Sequence, residues 1–137
     1  MARPKRGIVV EAPDGLLFDK NHMWVRKDGD IVTVGWTRHA VMSAGDVSYL
    51  VLPRKGERIE AGKDFGSVET GKWVGRFASP VSGEVVEQND RVVRDPGALN
   101  DDPFGDGWLL RVKFKGSLPK GLLDAKGYTK FVKDSEG

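Results

Sequence analysis

The chain has 137 residues, 22 Lys+Arg against 20 Asp+Glu for a formal net charge of +2, and no cysteine. That length supports one compact domain, which buries roughly 68–70% of its unfolded surface. The near balance of charge gives no general attraction to nucleic acid or to a membrane surface, no apolar run can span a bilayer, and the lack of cysteine excludes disulfides and thiolate metal sites.

The first seven residues are basic, but the apolar stretch behind them is too short for a secretory signal. Residues 1–14 are expected to form a mobile basic arm, and residues 15–137 a single domain. Eighteen glycines and seven prolines spread along the chain predict many turns between short strands. Leu16 to Phe18 and Met23 to Arg26 read as a first strand region. Ile31 to Gly35 follows a Lys27–Asp30 turn, so residues 22–35 form a hairpin. Thr37 can cap a short helix through Ala44, because a threonine oxygen accepts an orphan amide at a helix start. Gly45 ends it. Val47 to Leu52 reads as a buried strand stopped by Pro53. Residues 55–63 hold a turn, a short strand and another turn. Glu84 to Gln88 is a strand, Asn89-Asp90 a turn, and residues 94–107 a long surface loop rich in Asp, Pro, Gly and Asn. Trp108, Leu110, Val112 and Phe114 alternate onto one side of a strand. Residues 122–132 suggest a terminal helix interrupted near Gly127. Many short strands with small helices at the edges make a mainly β domain, a barrel or a sandwich.

The informative stretch is residues 67–83. Two extended runs meet at Gly71-Lys72, and a glycine at the first central position suits a type II′ turn, which demands positive φ there. Counting outward pairs Thr70 with Trp73, Val68 with Gly75 and Gly66 with Phe77 on the apolar side. Ser67 with Arg76 and Glu69 with Val74 fall on the outer side. Lys72 then stands at the outermost point. Alone, such a lysine is a solvated charge. Here Gly62-Lys63 before it and Gly83-Glu84 after it make a loose internal echo centred on the tip. With Ala-Ser-Pro-Val-Ser-Gly-Glu-Val closing it, the arrangement resembles lipoyl and biotinyl carrier domains, whose tip lysine takes the cofactor through an amide.

Seven segments stand in the order of one such family: residues 20–25 (Lys-Asn-His-Met-Trp-Val), 34–40, 45–53, 68–72 (Val-Glu-Thr-Gly-Lys), 79–85, 99–109 and 121–128. Together, from about residue 16 to residue 133, they resemble the glycine cleavage H proteins. The resemblance implies a hybrid barrel-sandwich fold with short flanking helices, no catalytic activity of its own, and lipoate on Lys72. The cofactor carries the chemistry, and the protein supplies orientation and access. Glu69 is then a mark for lipoate-attaching enzymes, or a solvated strand residue. Trp73 packs inward, or lids the lipoyl ring. His39, in Thr-Arg-His-Ala, lines the resting cleft of the arm, or is a structural hydrogen bonder. Gly71 and Trp73 stand where a biotinyl carrier has methionines, which argues against biotin.

The departures from the family pattern bear on cargo. Where H proteins have an aspartate four residues after the lysine, this chain has Arg76. Where they have His-Glu-Trp, it has His22-Met23-Trp24. In the family those acids lie near the pocket for a positively charged aminomethyl group, which carboxylates stabilise. Methionine and arginine remove that attraction and add a like charge. An apolar wall with one guanidinium suits a neutral or anionic cargo. Arg76 has a plainer reading too, a cross-strand ion pair with Glu69 worth about 0.2–1 kcal/mol.

The chain therefore looks more like the H-like lipoate-binding proteins of sulfur oxidation. As such it would be a cytoplasmic monomer shuttling a sulfur-bound intermediate to a heterodisulfide-reductase-like complex. The alternative is a glycine cleavage carrier among glycine decarboxylase, aminomethyltransferase and dihydrolipoyl dehydrogenase. A different class, an unmodified β-barrel interaction module, would leave Lys72 bare.

Overall fold

The computed structural model describes residues 9–136; most of the basic arm expected at residues 1–14 lies outside them. Of the remainder, Val10 and Ala12 pack against an apolar cluster, and the Glu11 carboxylate meets Arg38 at 3.1 Å. This part of the arm is laid onto the domain.

Strands β1 (Leu17–Phe18), β2 (Met23–Asp28) and β3 (Ile31–Trp36) lead into helix α1 (Arg38–Ala44). Then come β4 (Val47–Val51), β5 (Arg58–Ile59), β6 (Asp64–Thr70), β7 (Val74–Ala78) and β8 (Gly83–Gln88). Two short helices, α2 (Asp90–Arg94) and α3 (Gly97–Asp101), precede β9 (Leu110–Lys113), and α4 (Ala125–Glu136) closes the described chain. Six strands form one sheet in the order β1-β2-β3-β9-β8-β5, and three form a second, β4-β6-β7. Every paired strand runs antiparallel. The fold is the expected barrel-sandwich.

The main core lies between the sheets. Val25, Val32, Val34, Leu110 and Val112 of the larger sheet meet Val68 and Phe77 of the smaller, and all seven are 1% exposed or less. A second cluster backs the larger sheet. Phe18 and Trp24 pack there against Tyr128 and Val132 of α4, with Phe18 stacked on Tyr128 at 4.6 Å. Strand β3 is buried on both faces as a result, and buried and exposed positions do not alternate along it.

Several local expectations hold in detail. The β2–β3 hairpin turns at Gly29-Asp30. Thr37 caps α1 by accepting the Ala40 amide at 3.3 Å, and Gly45 ends the helix at φ 93°, its own amide bonded to the Val41 carbonyl. Four others need correction. Strand β4 is not buried throughout: it is an edge, and Tyr49 and Val51 face solvent. Asn89-Asp90 is a helix start instead of a turn. Asn89 caps α2, and its amide donates to the Asp106 and Trp108 carbonyls at 2.9 and 2.6 Å. The segment 94–107 is not all surface loop, because α3 buries Ala98 and Leu99. Its Asn100 side chain accepts the Val47 amide and donates to the Gly45 carbonyl, both at 2.9 Å. Finally, Gly127 does not interrupt α4. It sits in the first turn, where its amide donates to Asp124 Oδ1 at 2.8 Å.

Candidate functional site

The β6–β7 hairpin holds the register counted from the sequence: Gly66 faces Phe77, Ser67 Arg76, Val68 Gly75, and Glu69 Val74. Its turn is not type II′. Gly71 lies outside the left-handed region, and Thr70 closes the turn in its place. The Thr70 amide donates to the Trp73 carbonyl at 2.8 Å, and the Thr70 hydroxyl accepts the Lys72 amide at 3.4 Å. A side chain that can supply its own hydrogen bond lets the backbone turn without positive φ.

Lys72 is exposed at the tip. Its stem lies toward α1, with Cε 3.1 Å from where a Cβ on Gly45 would stand. Gly45 thus does two things: its positive φ ends α1, and its missing side chain leaves a bed for the lysine. No sequence signal pointed to the second role.

Trp73 is 42% exposed. Its ring lies across Gly75, where a Cβ would come within 2.1 Å of it. It stacks on Trp36 at 6.0 Å, and Trp36 meets Phe77 edge-on at 5.2 Å. Trp73 therefore neither enters the core nor points away from the molecule. It forms one wall of a cleft of about 590 Å³ beside Lys72.

Three elements line that cleft. Helix α1 contributes His39, Ala40, Ser43 and Ala44. The β1–β2 loop and the start of β2 contribute Lys20, Asn21, His22 and Met23. The hairpin contributes Lys72, Trp73, Arg76, Phe77 and Ala78, with Trp36 between. Met23 is 1% exposed and belongs to the apolar floor. Arg76 is exposed, and among the described residues no ion pair joins it to Glu69. Of the residues singled out in the sequence, the cleft gathers Lys72, Trp73, Arg76, His39 and Met23. Glu69 and Gly71 stay on the hairpin outside it.

Sequence reasoning missed Lys20, Asn21, Ser43 and Trp36 as lining residues, and missed how the cleft is held. His22 has φ 64°, the only non-glycine described residue in the left-handed region. Its Nδ1 lies 2.8 Å from the Tyr128 hydroxyl, which is also 2.8 Å from Thr37 Oγ1. One phenol thus joins a cleft loop to the cap of α1. Burial pushes the Tyr128 phenol up to about 12, so it stays protonated over the whole neutral range. Below it, Asp19 accepts the Asn21 and Met23 amides at 2.9 Å. Burial raises its carboxyl, and those two amides oppose the rise. The His22 and His39 rings lie 5.0 Å apart.

Comparison with known proteins agrees with this geometry. The family profile described as glycine cleavage H-protein matches residues 16–135. The glycine cleavage system H protein of Herpetosiphon aurantiacus is 43% identical over 122 residues, covering 89% of this chain and 94% of its own. That of Rubrobacter xylanophilus is 41% identical over 128 residues, covering 93% and 100%. The crystal structure of a glycine cleavage system H protein from Mycobacterium marinum superposes with a TM-score of 0.80 at 33% identity, covering 91% of this chain and 99% of that one.

Proposed function

The chain belongs to the glycine cleavage H-protein family, and on that footing we propose that it is a lipoyl carrier, not itself a catalyst, with lipoate amide-linked to Lys72. The carrying observation is the exposed lysine at a hairpin tip with an apolar-walled cleft beside it. The residues fit the group: nothing lies within 4 Å of a Cβ built on Gly71, so an attaching enzyme has room at the tip. When bound, lipoate supplies a disulfide that opens to take a group on sulfur and is closed again by a partner oxidoreductase.

The chain's own residues present, seat and shield. Thr70 fixes the turn, and Gly45 gives the stem a path along the end of α1. Acylation removes the Lys72 charge, which lowers the cost of lying against apolar surface. Trp73, Trp36, Phe77 and Met23 exclude water from one side of the cleft. Glu69 and Gly71 flank the lysine as features that lipoate-attaching enzymes read.

The relatives support the glycine cleavage enzymes as clients: glycine decarboxylase, aminomethyltransferase and dihydrolipoyl dehydrogenase. The leading sequence expectation, sulfur-compound oxidation with a heterodisulfide-reductase-like complex, draws no support from these relatives. One observation keeps it as a second reading: Met23 and Arg76 line the cleft, and among the described residues no carboxylate does. A carrier that visits several enzymes is best served as a cytoplasmic monomer.

Intact-mass measurement on protein from cells competent in lipoate attachment tests the carrier. One lipoyl increment is expected, and its absence sinks the reading. Incubating the lipoylated protein with glycine decarboxylase and glycine then separates the clients: efficient loading fits glycine cleavage, and no loading favours the second reading.

A further inference from the structure

We propose that the outer face of the three-stranded sheet, built from Tyr49, Val51, Ser67, Glu69 and Val74, is the surface on which the enzyme that acylates Lys72 docks, through an apolar patch carrying one cation opposite Glu69. The proposal rests on the carrier reading of Lys72 and gives that enzyme a footprint beyond the residues that flank the lysine.

Two rows of paired residues cross this sheet. Tyr49 of β4 faces Glu69 of β6, which faces Val74 of β7; Val51 faces Ser67, which faces Arg76. Side chains alternate along a strand, and Leu50, Val68 and Phe77, which fall between these positions, are buried in the core. Both rows therefore point outward. Among the described residues seven large apolar side chains are exposed. Three of them, Tyr49, Val51 and Val74, share this face, while Trp73 belongs to the cleft and Val9, Met42 and Val93 stand elsewhere. Apolar residues scattered singly over a surface are ordinary, but a group of them rimmed by polar side chains marks an interaction surface. Strands β4 and β7 are both sheet edges, so a partner can lie across all three strands without meeting a fourth.

The occupant follows from the position of the reacting atom. An acylating enzyme must bring its active site down to Lys72 Nζ. Val74 lies two residues beyond the lysine and Glu69 three before it, so both fall inside a footprint of about 800 Å² per partner. A client acts instead on sulfur at the end of the lengthened arm and can stand farther from the hairpin. On the core side of the tip α1 blocks the approach: its Ala40 and Ala44 join the core, and the Lys72 stem lies against its end. The outer face is the open side. Glu69 sits there between Tyr49 and Val74, and among the described residues no ion pair holds it. Covering the patch takes that carboxylate out of water, which a counter-charge must offset. The surface that fits is therefore apolar, with a lysine or arginine at its centre.

The test uses the full, unmodified chain with a purified lipoate protein ligase, lipoate and ATP, and follows the lipoyl mass increment against carrier concentration. Tyr49→Asp and Val51→Asp, both on β4 and distant from Lys72 along the chain, are each expected to lower kcat/KM about tenfold, through KM with kcat held. Glu69→Lys should lower it at least as far. Lys126→Gln, exposed on α4 and equal to the β4 variants in charge change, should leave the rate as it was. Urea melts confirm that each variant is folded. A second measurement uses Lys72→Arg, which the ligase can bind but not acylate. Adding ligase should shift the methyl signals of Val51 and Val74 and leave those of Val132, behind the larger sheet, in place. Acylation of both β4 variants at the wild-type rate, a fall confined to kcat, or unmoved Val51 methyls overturns the docking face. Normal attachment with lost aminomethyl loading by glycine decarboxylase also overturns it, and gives the face to a client. A wild-type chain that gains no increment removes the carrier reading and the docking face with it, whereas an increment that the variants gain equally removes the docking face alone.

Discussion

Two hairpins of this molecule have short turns and opposite uses. The β2–β3 hairpin turns at Gly29-Asp30, with Gly29 at φ 65°. Its strands are flanked by β1 on one side and β9 on the other, and Trp24, Val25, Val32 and Val34 are wholly buried. The β6–β7 hairpin turns at Gly71-Lys72, is closed through Thr70, and ends in an edge strand whose Val74 is 68% exposed. The first hairpin is held from both sides and contributes mainly to stability. The second is held along β6 alone, and its outer half is left for other molecules to touch. The neighbours of the strands set the two apart.

Substitutions at matched places should separate the two uses. Lys72→Arg is expected to abolish the lipoyl mass increment entirely while moving stability by no more than about 0.5 kcal/mol. Intact mass and a urea melt check both halves of that statement. Trp24→Ala should cost about 3–5 kcal/mol, because it empties a filled site behind β2 and removes the indole bond to the Pro103 carbonyl. The fraction of folded molecules modified at Lys72 should not change.

Tyr128→Phe should cost about 1–3 kcal/mol, since Thr37 and His22 lose the shared hydroxyl within a buried network. The wild type carries a pH signature that the variant lacks. The folded phenol is raised from 10 to about 12, so its contribution is fully present below pH 10 and is lost as pH climbs from 10 to about 12. Urea melts across that window should converge for the two proteins. Trp73→Ala should cost about 0.5–1.5 kcal/mol from the lost ring stacking. Its clearer mark is a changed Trp36 indole signal.

Much of the carrier hairpin was legible in the sequence, because strand pairing follows by counting from the tip once the tip is placed. The placement of α1 was equally legible: Thr37 and Gly45 are local signals that act within one helical turn. The turn type was not, because a glycine permits positive φ without requiring it, and a threonine hydroxyl offered another closure. Helix α3 was hidden for a related reason. Asp, Pro, Gly and Asn favour loops on their own, but Ala98 and Leu99 are buried in the core and Asn100 bonds across to Val47 and Gly45. How Tyr128 holds the His22 side of the cleft from behind could not be read at all. It depends on a contact between residues 106 positions apart, and no local pattern encodes such a distance. The cargo reading drew on two positions, Met23 and Arg76, whereas the family match spans residues 16–135.

The Tyr128 hydroxyl carries a consequence for how the molecule is assembled. The last helix is bolted by a single oxygen to both banks of a groove it does not line. Clipping residues 125–136 would bare the aromatic patch behind the larger sheet and also let the two banks drift apart. A binding partner that tugs on that helix would therefore be felt at the tether without ever touching it.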